Sequence, residues 1–221
     1  MKTILCYGDS NTWGLDYANG GRIPFDERWP NVMQRELGDG YRVFAEGVNG
    51  RTSAQDDPAD RFPEAKNGKK ALVPCLRAHA PLDMVLLMLG TNDLKIPFFT
   101  SVEQIAANIG ELAEITRCEL KEFQGRAVPV LLIAPMPIGD TIEHSPFCGP
   151  FGGKKAIEPS RQLAPAIRRE AQRRSCPFLD AGEIASPNPV DAVHFTREGH
   201  LRFGRAAAQK VREVLADTPA E

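Results

Sequence analysis

Ser10, Asp191 and His194 are a hydroxyl, a carboxylate and an imidazole that together could drive acyl transfer. Ser10 lies in Gly8-Asp9-Ser10-Asn11-Thr12-Trp13-Gly14, directly after the apolar run Thr3-Ile4-Leu5-Cys6-Tyr7. Asp191 and His194 bound the segment Asp191-Ala192-Val193-His194 near the far end of the chain. A serine hydroxyl is a weak nucleophile and needs a base within hydrogen-bonding reach. His194 is that base if one ring nitrogen faces Ser10 and the other is held by an acceptor; Asp191, earlier on the same turn, can be the acceptor. The tetrahedral intermediate carries an oxyanion, which needs donors fixed in advance. The backbone N–H groups of Ser10 and Gly50 and the side-chain amide of Asn92 are the candidates. Gly50 stands in Gly47-Val48-Asn49-Gly50-Arg51-Thr52, and Asn92 in Leu89-Gly90-Thr91-Asn92-Asp93.

Each residue taken alone has a plainer role. Ser10 suits a helix N-cap, Asp9 an acceptor for the amides of its own turn, and Asn92 and Asp93 turn formation. A lone histidine is more often structural than catalytic. Their joint placement is what argues for chemistry, and that placement depends on the elements between them.

Strand-like runs occur at Thr3–Tyr7, Tyr41–Ala45, Met84–Leu89, Val128–Ile133 and Pro177–Leu179. Helical patterns lie between them. Pro30–Leu37 follows a Trp-Pro start; Val102, Ile105, Ile109, Leu112 and Phe123 mark a long amphipathic helix. Leu163, Ile167 and Ala171 mark another, which Pro165 should kink or delay. Thr196 is a good N-cap for a last helix with Leu201, Ala207, Val211 and Val214 on one face. The alternation predicts a single α/β domain over 1–221, with helices on both faces of a doubly wound sheet of about five parallel strands. In such a sheet the carboxyl ends of the strands share one edge, where ligands bind. Ser10, Gly50 and Asn92 each follow a strand directly, and the Asp191–His194 segment follows the fifth after a short loop. Arg51 to Lys70 and Thr141 to Lys155 read as irregular segments, either functional lids and contact surfaces or variable excursions. Residues 217–221 read as a frayed tail.

The remaining features narrow the class. A chain of 221 residues is long enough for an ample core, and a net charge of -2 gives no general attraction to nucleic acid or anionic membranes. No apolar run has the length needed to span a bilayer, and the first residues lack signal-peptide anatomy. Cys6, Cys75, Cys118, Cys148 and Cys176 are scattered and odd in number, which argues against a disulfide framework and for a cytoplasmic setting; Cys6 and Cys176 read as buried thiols. Gly149-Pro150-Phe151-Gly152-Gly153-Lys154-Lys155 fails as a phosphate loop, since Cys148 replaces its first glycine and Lys155 its Ser/Thr. His79 near Cys75 and His144 near Cys148 do not form a four-ligand zinc set, so no metal or other cofactor is expected.

The motif set resembles the SGNH hydrolases, or GDSL-type esterases, along nearly the whole chain: Gly-Asp-Ser at 8–10, the glycine at 50, Gly-Thr-Asn-Asp at 90–93 and Asp-x-x-His at 191–194, in that order. The resemblance implies a flavodoxin-like sheet with Ser10 as nucleophile, Ser10, Gly50 and Asn92 as oxyanion donors, His194 as base and Asp191 as its orienter. It is closest to the arylesterase and acyltransferase branch, through Cys-Tyr-Gly-Asp-Ser-x-Thr-Trp-Gly, Ala-Glu-Gly-x-x-x-Arg-Thr, Ala-Pro-Leu-Asp and Met-Leu-Gly-Thr-Asn-Asp. That branch implies hydrolysis of short acyl esters of aryl, alkyl or carbohydrate alcohols through an acyl-enzyme. It also implies acyl transfer to alcohols or peroxide and assembly into homo-oligomers. A thioesterase or lysophospholipase of the same family is the alternative; a non-catalytic ester- or carbohydrate-binding protein is a more distant one.

Relatives usually carry an apolar residue after the nucleophile, where this chain has Asn11. That side chain is expected to change the packing under Ser10 or to add a hydrogen bond near the substrate pocket. Trp13 and Phe98 are expected to wall that pocket, with Asp93 beside it. Ile96-Pro97-Phe98-Phe99 is apolar for a loop and suits an entrance lining or a subunit contact. Arg51 is expected to fix the loop that carries Gly50.

Overall fold

The computed structural model describes residues 1–98 and 100–217. Phe99 and the tail beyond 217 lie outside the described residues.

A five-stranded parallel sheet forms the centre: β1 (Lys2–Gly8), β2 (Tyr41–Gly47), β3 (Met84–Met88), β4 (Val130–Ala134) and β5 (Phe178–Asp180), in the spatial order β2-β1-β3-β4-β5. This is the flavodoxin-like order, and its direction reverses between β1 and β3. Strands β1, β3 and β4 are continuous apolar runs because both of their faces are covered. Side chains alternate between those faces. Leu5, Tyr7, Val85, Leu87, Val130 and Leu132 meet one core with Leu72, Ile105 and Leu163. Ile4, Cys6, Met84, Leu86, Leu131 and Ile133 meet the other with Trp29, Met33, Phe203 and Val211. The first core packs α3 (Gly68–His79), α4 (Val102–Gln124) and α6 (Ile157–Arg173) on the sheet; the second packs α2 (Trp29–Leu37) and α7 (Arg197–Ala216). The Thr196 hydroxyl caps α7 by accepting from Gly199 N at 2.9 Å.

The elements differ from the sequence reading in three places. Helix α3 lies within a stretch that carried no helical reading, because Pro74 sits inside it and only Leu72 and Leu76 supply a buried apolar stripe. Helix α6 runs through Pro165, starting at Ile157 and burying Leu163, Ile167 and Ala171. Segment 141–155 is folded: a 3-10 turn (Asp140–His144), a short helix α5 (Cys148–Phe151) and a second 3-10 turn (Gly153–Ala156) follow one another. Ile142, Phe151 and Ala156 pack with Ile138, Ala192 and Val193 into a small core of their own. All five cysteines are free; Cys6 is buried, but Cys176 is only half-buried, two residues before the short edge strand β5. Among the described residues no helix is long and apolar enough to cross a membrane.

Candidate active site

The sheet brings four loops to one edge. Ser10 opens a single-turn helix α1 (Ser10–Trp13) after β1, with Asp9 as its N-cap. The Asp9 carboxylate accepts from Asn11 N at 2.9 Å, the plain turn role expected of it. Close packing explains the glycine that ends β2: a Cβ on Gly47 would stand 2.2 Å from Trp13 N. Three residues further, Gly50 has φ +81°, in the left-handed region where glycine is free of strain.

Ser10 Oγ lies 2.9 Å from His194 Nε2, and His194 Nδ1 lies 3.1 Å from Asp191 Oδ2. All three residues are buried. The other Asp191 oxygen accepts from Val193 N at 2.8 Å and His194 N at 2.9 Å. Ala192 holds φ +63° between them, a strained conformation for a residue with a Cβ. Two bonds fix it: Ala192 N donates to Asn188 O at 2.7 Å, and Gly139 N donates to Ala192 O at 2.8 Å. Burial alone would raise the Asp191 carboxyl. The hydrogen bond and charge of His194, with the two N–H donors, outweigh it and hold Asp191 below its ordinary range. An ionised Asp191 fixes the tautomer that leaves Nε2 as acceptor toward the Ser10 hydroxyl. The other buried histidine has a plainer part. His200 Nδ1 accepts from Trp29 N at 3.2 Å, and burial pushes its imidazole down to about 3, so it stays neutral.

Asn92 Nδ2 is 3.1 Å from Arg51 O and 3.3 Å from Asp9 Oδ2. The N–H groups of Ser10 and Gly50 enter no loop hydrogen bond among the described residues. Arg51 fixes the Gly50 loop as expected: Nη1 donates to Gly8 O at 2.9 Å and Glu46 O at 2.6 Å, and the guanidinium lies 4.1 Å from the Tyr7 ring centroid.

Asn11 and Asp93 face structure rather than a pocket. Asn11 Oδ1 accepts from Phe195 N at 2.9 Å, and Nδ2 approaches Val193 O at 3.4 Å. Both side-chain polar atoms are thus spent on the backbone flanking His194, which ties the serine turn to the histidine turn. Asp93 is fully buried and accepts from the Ser53 N–H, at 2.9 Å to Oδ2, and from the Ser53 hydroxyl. Asn108 Nδ2 donates to Ser53 Oγ at 3.1 Å. This network joins the turn bearing Asn92 to the loop after Gly50. Burial raises the Asp93 carboxyl to about 6 against the lowering effect of the Ser53 bonds. Trp13 is half-buried under the Arg22 guanidinium, 4.4 Å from its ring centroid. Phe98 is half-buried in the 3-10 turn Ile96–Phe98.

Three residues escaped the sequence reading. The Phe147 ring stands edge-on to His194 with centroids 5.3 Å apart, and Tyr17 stands against Phe147 at the same separation. Ser145 Oγ donates to Asp191 O at 2.5 Å and accepts from Phe147 N at 3.0 Å. Segment 141–155 therefore forms one side of the candidate site. The signal for it was the apolar set Ile142, Phe147 and Phe151 inside an otherwise glycine- and proline-rich stretch.

A buried serine–histidine–aspartate relay at the carboxyl edge of a flavodoxin-like sheet is the architecture of an SGNH-type acylhydrolase. Residues 6–202 match the model of the GDSL-like lipase/acylhydrolase family, and the chain belongs to that family. It is similar to the solved structure of Est24, a carbohydrate acetylesterase from Sinorhizobium meliloti: 35% identity over 96% of this chain and 99% of that one, TM-score 0.86. It is likewise similar to the native aryl esterase of M. smegmatis, with 35% identity over 97% of this chain and 100% of that one, TM-score 0.89. A further carbohydrate acetylesterase family member from Sinorhizobium meliloti has 36% identity over 98% and 100% of the two chains, TM-score 0.89. No curated protein sequence matches closely enough to count as a relative.

Proposed function

We propose that this acylhydrolase is a serine esterase that cleaves short acyl esters of aryl, alkyl or carbohydrate alcohols through an acyl-enzyme. The observation that carries the reading is the continuous relay Ser10 Oγ–His194 Nε2, His194 Nδ1–Asp191 Oδ2. Ser10 Oγ attacks the ester carbonyl while His194 Nε2 takes its proton. Ionised Asp191 stabilises the imidazolium that results. The carbonyl oxygen becomes an oxyanion facing the N–H groups of Ser10 and Gly50 and the amide of Asn92. The two hydrogens of Asn92 Nδ2 face Arg51 O and Asp9 Oδ2, and the contact to Asp9, at 3.3 Å, is the weaker. The oxyanion takes the place of Asp9 on that hydrogen. Collapse of the intermediate expels the alcohol, protonated by His194. Water, or an alcohol or peroxide, then takes the acyl group by the reverse sequence.

Trp13, Phe98 and Phe147 are aromatic groups on three of the loops around this edge, which suits a small acyl group and an aryl or sugar leaving group. Two similar solved structures are named as carbohydrate acetylesterases and one as an aryl esterase, which supports the same substrate class. The test is p-nitrophenyl acetate hydrolysis by wild type and Ser10→Ala, with chelator present. The wild type turns over, and folded Ser10→Ala loses about six orders of magnitude in kcat. Activity surviving in Ser10→Ala would refute the nucleophile assignment. A folded wild type that is inert toward acetate but active on thioesters or long-chain lysolipids would refute the substrate class.

A further inference from the structure

We propose that Glu46, Cys75 and His79 form a binding site for a thiophilic divalent cation of the zinc class, separate from the Ser10 relay. The sequence shows Cys75 and His79 one turn apart, too few donors for a site. The fold adds a third from the edge strand β2. A carboxylate oxygen of Glu46, the Cys75 thiol and an imidazole nitrogen of His79 all lie within 4.8 Å of one another, and this is the one such group among the described residues. Glu46 Oε1 is 2.8 Å from His79 Nε2.

The donor types fit a borderline-soft cation. Zinc takes sulfur at about 2.3 Å and nitrogen or oxygen at about 2.0–2.2 Å, so tetrahedral neighbours sit about 3.3–3.6 Å apart. The 4.8 Å spread of the cluster brackets those separations, and the 2.8 Å between Glu46 Oε1 and His79 Nε2 would have to open by about half an ångström to admit the cation. Spacing of i and i+4 places Cys75 and His79 on one face of α3, and the Phe44 ring, with centroids 4.4 Å from that of His79, limits how the imidazole turns. The site is open to solvent, since the side chains of His79 and Glu46 are 20% and 38% exposed. A dication entering as M²⁺ displaces the thiol proton to solvent, and the resulting thiolate and the Glu46 carboxylate neutralise it. Arg51 is the opposing charge nearby. Its guanidinium is engaged by the carbonyls of Gly8 and Glu46, not by the donor atoms. A water would complete the coordination, as at zinc sites with three protein ligands.

Cobalt(II) titration of the reduced full-length protein tests the site, because a thiolate–cobalt bond gives a charge-transfer band in the near ultraviolet. One equivalent should bind with that band and with visible bands of tetrahedral intensity. Cys75→Ser should abolish the charge-transfer band. His79→Ala and Glu46→Gln should each weaken binding by more than about tenfold. Cys118→Ser, at an exposed cysteine, should leave the spectrum unchanged. Melting curves establish that each variant is folded, and the three ligand substitutions address the site independently. Absence of a band in wild type, its survival in Cys75→Ser, or wild-type affinity in both His79→Ala and Glu46→Gln would overturn the proposal.

Discussion

Asn11→Leu isolates the link between the serine turn and the histidine turn. The side chain is buried, and its one well-formed bond is Oδ1 to Phe195 N at 2.9 Å; the Nδ2 contact to Val193 O, at 3.4 Å, is marginal. Leucine fills the volume but leaves the Phe195 N–H without its acceptor in a buried setting. An unsatisfied buried donor costs about 1–3 kcal/mol. His194 is covalently next to Phe195, so relaxation of that N–H toward another acceptor moves the imidazole. At about 1.4 kcal/mol per decade, the cost corresponds to about 5–150-fold in rate if it falls wholly on the transition state. The expected outcome is a kcat about tenfold lower for p-nitrophenyl acetate with KM nearly unchanged. The rate of Ser10 labelling by a fluorophosphonate should fall in parallel, because it reports nucleophile activation without the substrate's own contacts. Asn11→Asp should be worse at neutral pH: it keeps an acceptor for Phe195 N–H but turns an oxygen toward Val193 O and adds a carboxylate beside Asp9. A folded Asn11→Leu with wild-type kcat and labelling rate would refute the brace. A loss confined to KM would instead place Asn11 in the substrate pocket.

Asp191→Asn should lower kcat by about 10³–10⁴, less than Ser10→Ala, because it removes the orienter and leaves the oxyanion donors in place. The rate should also fall in acid as His194 takes a proton; a flat acid limb for acylation would contradict its role as base. Asp191 has a stability signature as well. Its carboxyl is held below the ordinary value in the fold, so its contribution is complete above about pH 4 and is lost as pH falls through the depressed value. Urea midpoints of wild type and Asp191→Asn should therefore differ at neutral pH and converge only as pH falls from about 4 through that depressed value; a gap that persists in strong acid would show that the carboxylate charge is not its source. Trp13→Ala should shift preference from acetate toward longer acyl chains, and an unchanged chain-length profile in the folded variant would exclude Trp13 as a pocket wall.

The residues of the relay were legible because each follows a strand or a turn signal, and a parallel sheet sends every strand's carboxyl end to one edge. Their surroundings were less so, for particular reasons. Asn11 reads as a neighbour of Ser10, yet its partners lie more than 180 positions away, on the backbone around His194. Backbone groups carry no sequence signature, so no inspection of residue types finds such a bond. Asp93 reads as a turn former beside the pocket; its real partner, Ser53, comes from a loop and is held in turn by Asn108 on the buried face of α4. A polar residue within an apolar helical stripe, as Asn108 is next to Ile109, was the available clue. Helix α3 was hidden by Pro74, and with it the convergence of Cys75 and His79 on Glu46.

Ser10 and His194 are 184 residues apart, and the turn bearing His194 is held to the serine side by side-chain bonds rather than by strand register. In synthesis the nucleophile, the loops after β1, β2 and β3, and all five strands precede the base. Until the segment bearing His194 has been made, the Ser10 hydroxyl has no base beside it. On the proposed mechanism, recovery of turnover during refolding should therefore time the docking of the His194 turn rather than formation of the sheet.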